Sequence, residues 1–293
     1  GSVDSSLGLL AALGAAWWWC HDWRYLTGGV LWPMVAMALA LALASAEARA
    51  VAVAVMLAMG VLQTLMVVTQ SLGWRAFAHQ FPHGTLGHRG GLGCYLALLA
   101  PLAFLTDAWW WLLPIYGLGV LLSKSAVAGA AFGAGILMIW PAAWPVLVGF
   151  VVLVFDLRLT RHSKRMILSG RLTIWRATVR RLSGWALLIG HGPARFRHEA
   201  PAWRLTDRLR EFYREAHNDA LEFVYEHGAV GLLAVAWWLL RYLPVGLGDP
   251  LAGGFAALGV EMALYFPLRV MPLAMVAVLL VALAMARGPR WAY

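Results

Sequence analysis

A histidine, an amide and a carboxylate follow one another at His217, Asn218 and Asp219, where a polar segment gives way to an apolar run that ends near Leu240. A neutral imidazole can take a proton from a hydroxyl group, and a neighbouring amide or carboxylate can orient its ring. A base at a boundary between water and hydrocarbon would act on a molecule that is part polar and part lipid. We therefore predict catalysis by His217 and Asn218 on a lipid-linked substrate; the alternative is a histidine that only hydrogen-bonds at a helix start.

Positive charge is the second component of this chemistry. Residues 156–220 contain fourteen of the 23 lysines and arginines, and they supply most of the formal net charge of +9. A guanidinium keeps its charge and can bind a phosphate through two parallel N–H groups. Arg195 beside a glycine-rich turn, Lys124 at the end of an apolar run and Arg89 in the first polar segment are therefore candidates for binding an anionic group such as a phosphate. A solvated or headgroup-binding role is the alternative for each.

The elements that must position these residues are strongly apolar. The chain is 62% hydrophobic and 13% charged, and its apolar blocks approach the ~20 residues that a membrane-spanning helix needs. We predict an all-α polytopic transmembrane bundle of about ten spans, some of them short enough to be re-entrant or interfacial. The predicted spans cover residues 7–20, 29–44, 50–68, 91–105, 108–122, 126–140, 143–155, 221–243, 251–268 and 270–286.

The spans predict a single membrane domain over residues 1–293 with two polar segments, 71–90 and 156–220. With ten spans, both segments lie on the same side of the membrane, so one face collects most of the polar chemistry. The positive-inside rule does not orient this arrangement, because long loops cross regardless of charge and the short loops carry similar charge on the two sides.

Two amphipathic helices are predicted inside the long polar segment. The first covers residues 169–183 with Ser169 as its N-cap, and the second runs from Thr206 into the His217 region. Between them, residues 190–196 form a glycine-rich turn that we expect to be flexible enough for its backbone N–H groups to approach an anion.

Several short motifs together resemble one protein superfamily. Over residues 84–240 the chain is similar to the O-antigen ligase and polymerase superfamily of bacterial membrane glycosyltransferases. The His217-Asn218 block is the most specific part of the resemblance, whereas His88 and Lys124 replace an asparagine and an arginine that the family usually has. The motifs, in order, are Gly84-Thr-Leu-Gly-His88, Leu92-Gly-Cys-Tyr-Leu96, Ser123-Lys-Ser-Ala126, Arg171-Leu-Thr-Ile-Trp175, Gly190-His-Gly-Pro193 with Phe196, and His217-Asn218 with Leu221, Glu226, Gly228 and Gly231.

The resemblance implies a fold similar to the GT-C glycosyltransferases, with residues 156–220 as a periplasmic loop at the bacterial inner membrane. It implies transfer of an undecaprenyl-diphosphate-linked glycan to a glycan or lipid A-core acceptor. In that reaction His217 would be the general base, and Arg171, which begins the Arg-x-x-x-Trp pattern ending at Trp175, would be the first choice for binding the donor diphosphate. His88, in the first motif, would belong to the same donor site. Membrane lipids are expected partners, and nucleic acid is not.

The acidic residues do not suggest metal catalysis. The chain has no Asp-x-Asp pair and no His-Glu-x-x-His spacing, so we expect a reaction that needs neither a metal nor a cofactor. Glu261 is a separate case, because an acid inside an apolar span is a functional candidate by default. Arg269, two turns further on, is the partner that would instead make Glu261 structural.

Two other classes of function fit the same composition. A transporter or flippase of lipid-linked glycans would also be polytopic and basic, although such proteins often contain a duplicated architecture that is not evident here. A repeat-unit polymerase or a protein O-oligosaccharyltransferase would share the donor chemistry of a ligase. The sequence leaves these alternatives open.

Tryptophan and cysteine carry weaker signals. The 17 tryptophans include clusters near predicted span ends, which is typical of anchoring at the membrane interface. Trp74, Trp185 and Trp203 lie in polar segments and are the better candidates for stacking against a sugar. Cys20 and Cys94 are expected to be small buried apolar residues.

Overall fold

The computed structural model describes residues 31–73, 84–86, 88–105, 109–156, 161–192, 195–203, 215–243 and 246–288. For Arg89 and for residues 31–35, 153–156 and 161–170, only the backbone is described. The described ranges are helical and contain no strand, which confirms the all-α class. The α-helices are α1 (Leu31–Leu43), α2 (Ala46–Ser71), α3 (Arg89–Leu102), α4 (Leu112–Ser123), α5 (Ala126–Ile139), α6 (Trp144–Asp156), α7 (Arg161–Arg181), α8 (Trp185–Ile189), α9 (Arg195–Glu199), α10 (Asp219–Tyr242), α11 (Pro250–Leu264) and α12 (Met271–Ala286).

A helix occupies each predicted apolar segment that falls within the described residues, while the first segment, 7–20, lies outside them. Two of these helices, α2 and α10, are long and apolar enough to cross a membrane. The other apolar helices α3, α4, α5, α6, α11 and α12 contain only short apolar stretches of 10–17 residues. The ten-span bundle and the single membrane domain therefore stay predictions.

Helix α3 lies at the centre of the core and packs against α4, α5, α11 and α12. Its residues from Leu92 to Ala100 are almost completely buried. Close approach of neighbouring helices depends on small residues, as in other tightly packed apolar bundles. Where α5 crosses α11, a Cβ atom on Gly135 would lie 3.1 Å from the carbonyl oxygen of Gly253, and one on Gly253 would lie 2.6 Å from the carbonyl oxygen of Gly135.

Two buried glutamines on α2 hold the turn that leads to His88. The Gln70 side chain accepts from the Gly84 N–H at 3.0 Å and donates to its carbonyl at 3.3 Å. The Gln63 side chain accepts from the Thr85 N–H at 3.0 Å and donates to its hydroxyl at 2.6 Å. Gly84 is required because its φ is +60° and a Cβ atom would overlap the Gln63 amide. The first motif is thus fixed to α2 before α3 begins.

Helix α10 is kinked at Gly228, whose φ of 62° and ψ of −162° are not helical. The break leaves carbonyl groups without an intrahelical donor, and the turn after α8 supplies the donors. The His191 N–H donates to the Tyr225 carbonyl and the Gly192 N–H to the Glu226 carbonyl, both at 2.9 Å. The Gly190 N–H donates within its own turn to Ala186. For residues 190–192, the expectation that the N–H groups approach an anion is therefore wrong, because backbone carbonyls already use them, while residues 193–194 lie outside the described residues.

The predicted amphipathic helices differ from the structure in their boundaries. Helix α7 begins at Arg161, so Ser169 lies inside the helix and is not its N-cap. The helix continues because residues 161–168 also avoid glycine and proline. The second helix, predicted from Thr206, falls largely on residues 204–214, which lie outside the described residues.

The attachment of α8 to α10 generates a stability prediction. Gly184 and Gly190 flank α8 and both have positive φ, but only Gly190 is crowded, since a Cβ atom there would overlap the Glu226 backbone, whereas nothing lies within 4 Å of one at Gly184. We expect Gly184→Ala to lower the free energy of unfolding only by the ~1–3 kcal/mol that the strained backbone of a non-glycine residue costs. Gly190→Ala should cost more, because α8 must also move away from α10. Thermal unfolding midpoints of the purified variants in detergent would test this, and equal losses would contradict it.

Candidate functional site

His217 is held in a left-handed backbone conformation, with φ of 53°, directly before α10. The residues on both sides of it are fixed. The Ala216 carbonyl accepts from the Trp175 indole at 2.8 Å, and the Asn218 side chain caps α10 by accepting from the Leu221 N–H at 2.8 Å. Positive φ is uncommon for a residue other than glycine and is often found at functional sites. Trp175 and Asn218 therefore position the backbone that carries His217.

The His217 ring lies against the ring of Phe266 and close enough to Arg171 and His88 for their charges to affect it. Its centroid is 4.9 Å from that of Phe266. Burial, and then the charges of Arg171 and His88, lower the pKa of the imidazole to about 4. Its buried Nδ1 has no hydrogen-bond partner among the described residues, an arrangement that calls for an explanation in a native protein.

Arg171 has the properties expected of the residue that was predicted to bind the diphosphate. It is half-buried, and its guanidinium donates to the Leu264 carbonyl at 2.9 Å. Burial lowers its pKa, and the described groups that oppose this effect are Tyr265 and Cys94, with no carboxylate among them. A guanidinium remains charged under such a shift. Arg171 is thus a partly desolvated cation that no described acid neutralises.

Tyr265 joins this group although no sequence pattern distinguished it. Its hydroxyl lies 3.4 Å from Nδ1 of His88, and its ring stacks on Phe266 with centroids 4.3 Å apart. Gly91 leaves room for it, since a Cβ atom there would lie 3.4 Å from the hydroxyl oxygen. The available signal was only an aromatic pair that ends an apolar run.

Behind His217, buried acids at the start of α10 surround Arg269. The Arg269 guanidinium lies 2.5 Å from Glu222 and 3.7 Å from Glu226. Asp219 accepts from the Leu268 N–H at 2.8 Å. Glu222 also accepts from the Ala216 N–H at 3.1 Å. These contacts join the first turns of α10 to residues 264–269.

Glu261 does not pair with Arg269, so that structural alternative is wrong; Arg269 instead compensates the acids of α10. Glu261 is completely buried, and neither carboxyl oxygen has a hydrogen-bond partner in the described part of the chain. The Cys94 thiol, buried as expected, is close enough to interact with it, although not in normal hydrogen-bond geometry. Glu261 also interacts electrostatically with Tyr265, so it lies near the site.

The remaining candidates either lie away from His217 or fall outside the described residues. Lys124 is exposed and ends α4 in a left-handed conformation. Arg195 is 62% exposed and faces Glu199 at 4.0 Å. The Arg89 side chain lies outside the described residues. The described contacts therefore bring together His217, Asn218, Arg171, Trp175 and His88, and they do not bring Lys124 or Arg195 to this group.

The tryptophans that were candidates for stacking against a sugar differ in their surroundings. Trp203 is covered on one face by the Arg181 guanidinium, which lies 4.2 Å from the ring centroid. Trp185 is exposed, and Trp74 lies outside the described residues. Within the described ranges, His, Cys, Asp and Glu side chains form no group of three or more arranged to hold a metal ion.

Comparison with known proteins returned no family model, no curated protein and no solved structure that matches this chain. The groups of the site are a partly buried imidazole, a guanidinium that no described carboxylate neutralises, a second imidazole and a phenol. Such a set can take a proton from one reactant while it stabilises negative charge on another.

The acid cluster generates a second stability prediction. Arg269→Met should destabilise the protein by ~3–5 kcal/mol, because it leaves buried carboxylates without their cation. The matched control is Arg287→Met, which removes the partner of Asp249 from a pair whose arginine is 47% exposed and should cost only ~0–1 kcal/mol. Unfolding of both variants in detergent gives the comparison. Adding Glu222→Gln to Arg269→Met should recover part of the loss, and a double variant less stable than the single one would contradict the assignment.

Proposed function

We propose that this protein is a membrane glycosyltransferase that transfers an undecaprenyl-diphosphate-linked glycan to an acceptor hydroxyl group, as an O-antigen ligase does. The observation that carries the proposal is the placement of a neutral histidine, His217, beside a half-buried arginine, Arg171, that no described carboxylate neutralises. Base and anion-binding cation are the two groups that displacement of a diphosphate requires. The sequence resemblance around His217 supports the same class of reaction.

The membrane location is supported by apolar surface that water would not favour. On α2, exposed side chains recur on one face at Val51, Val55, Met59 and Leu62. A monomeric soluble protein seldom exposes so continuous an apolar stripe. We infer that lipid covers this face, that the chain spans the bacterial inner membrane several times, and that residues 156–220 lie on its periplasmic side.

The proposed reaction is a single displacement at the anomeric carbon of the donor sugar. The acceptor O–H gives its proton to His217, and the oxygen forms a new bond to the anomeric carbon. The bond from that carbon to the diphosphate oxygen breaks, and its electron pair leaves with undecaprenyl diphosphate. Arg171 stabilises the charge that develops on the leaving group, with His88 and Tyr265 as nearby hydrogen-bonding groups. A single displacement inverts the configuration of the anomeric carbon.

The donor also affects the base. Burial and the positive charge of Arg171 lower the pKa of His217 to about 4. A diphosphate bound at Arg171 compensates that charge, and an opposite charge nearby favours the protonated imidazole. Donor binding therefore raises the pKa of His217 and strengthens it as a base. The site is most basic when the group that must leave is in place.

Activity measurements on two variants test this function. His217→Ala should bind the lipid-linked donor nearly normally but lose ~10²- to 10⁴-fold in turnover, because the acceptor keeps its proton. Arg171→Ala should weaken both binding and turnover, and Arg171→Lys should recover only part, since an ammonium cannot bind a phosphate through a fork. Arg197→Ala is the matched control, because Arg197 is an exposed arginine of α9. Product formation from purified donor and candidate acceptors is the readout.

The outcome against the proposal is near-normal turnover by a correctly folded His217→Ala variant. A transporter would then be the better interpretation, above all if vesicles showed flipping of the lipid-linked glycan without formation of a glycosidic bond. Products made with lipid A-core, glycan or protein acceptors would separate a ligase from a polymerase or a protein glycosyltransferase.

The pH dependence of transfer follows from the pKa of His217. Protonation removes the base, so rates fall as pH drops below the relevant pKa. The profile of kcat/KM for the donor, which reports the enzyme before the donor binds, should lose activity only near pH 4, the pKa of His217. The profile of kcat, which reports the donor complex, should lose activity at higher pH. Measured profiles in which kcat/KM falls near the ordinary histidine value of ~6.5 would contradict the burial of this base.

A further inference from the structure

Helix α8 exposes nearly all of its apolar side chains. Trp185 is 75% exposed, Leu187 51%, Leu188 47% and Ile189 63%. A five-residue helix with this composition does not cover a core of its own, and its flanking glycines, Gly184 and Gly190, let it project from the chain. The described residues leave this surface uncovered.

Helix α8 contacts α10 at a defined point along its length. Its end abuts the α10 kink, because a Cβ atom on Gly228 would lie 2.5 Å from the carbonyl carbon of Leu188. Before the kink, α10 carries its buried acids Glu222 and Glu226. After the kink, its exposed side chains are apolar, beginning with Val230. Helix α8 therefore lies where α10, one of the two helices able to cross a membrane, changes from polar to apolar.

Charge around α8 favours an anionic partner. Residues 171–203 contain six arginines and one acid, Glu199. Arg176 and Arg180 are exposed in the last turns of α7, immediately before α8. Amphipathic segments with tryptophan and leucine on one side and arginine beside them lie in the headgroup layer of anionic membranes. The negative surface potential of such a membrane attracts arginines that lie near it.

We propose that α8 is an interfacial anchor whose Trp185, Leu188 and Ile189 insert into the headgroup and upper acyl region of an anionic bilayer, with Arg176 and Arg180 contacting the lipid phosphates. Because the turn that follows α8 is hydrogen-bonded to α10 through His191 and Gly192, and because α8 follows α7 closely in the chain, the anchor holds the C-terminal end of α7 at the membrane surface. The proposal requires that the chain crosses a bilayer, and it does not depend on glycosyl transfer.

The test places an environment-sensitive fluorophore on Ile189→Cys, in protein whose Cys20 and Cys94 are replaced by alanine, reconstituted in phosphatidylglycerol vesicles. We expect blue-shifted emission and strong quenching by lipids that carry a doxyl group near the headgroup. Trp185→Cys gives an independent second site if the first variant folds poorly. Arg197→Cys on α9 is the matched control, and its probe should stay in a water-like environment.

The role of charge is tested in the same vesicles. Phosphatidylcholine alone, or high salt, should reduce the quenching, and Arg176→Gln with Arg180→Gln should reduce its dependence on anionic lipid. Emission from Ile189→Cys like that of the Arg197→Cys control would overturn the proposal. A blue-shifted probe that doxyl lipids do not quench would also overturn it, since protein, such as a second copy of the chain, would then cover α8. Neither outcome bears on the variants that test transfer.

Discussion

The Glu222 carboxylate makes the contact on which the arrangement of the site depends. One oxygen lies 2.5 Å from the Arg269 guanidinium, and the other accepts from the Ala216 N–H at 3.1 Å. Because a buried carboxylate needs a compensating cation, Arg269 is held over the first turns of α10. The segment that carries Tyr265 and Phe266 is held with it. His217 is thus positioned by an ion pair that it does not touch.

The ion pair also keeps the acids of α10 paired with Arg269 and not with Arg171. Arg269 pairs with Glu222 and Glu226, whereas Arg171, whose charge acts on His217, has no described carboxylate that neutralises it. A partly desolvated cation of this kind favours an anion and disfavours protonation of a neighbouring imidazole. Both effects suit a site in which an anionic leaving group and a neutral base must act together.

The break in α10 is a second constraint with consequences beyond its own helix. An intact helix would use the Tyr225 and Glu226 carbonyls internally, whereas the kink at Gly228 makes them available to His191 and Gly192. The glycines on both sides remove the Cβ atoms that would keep the chains apart. Helix α8 is consequently attached to α10 by backbone groups, and its apolar side chains are left to face outward.

The amino-acid sequence by itself determined the all-α class, the helix at each described apolar segment and the place of His217 just before α10. These features depend on neighbours along the chain, such as apolar runs and capping residues. Only the tertiary structure decided the partners: Gln63 and Gln70 for the Gly84 turn, Tyr265 for His88, and α10 acids instead of Glu261 for Arg269. Such choices join residues far apart in sequence, and local patterns contain no information about which helices come into contact.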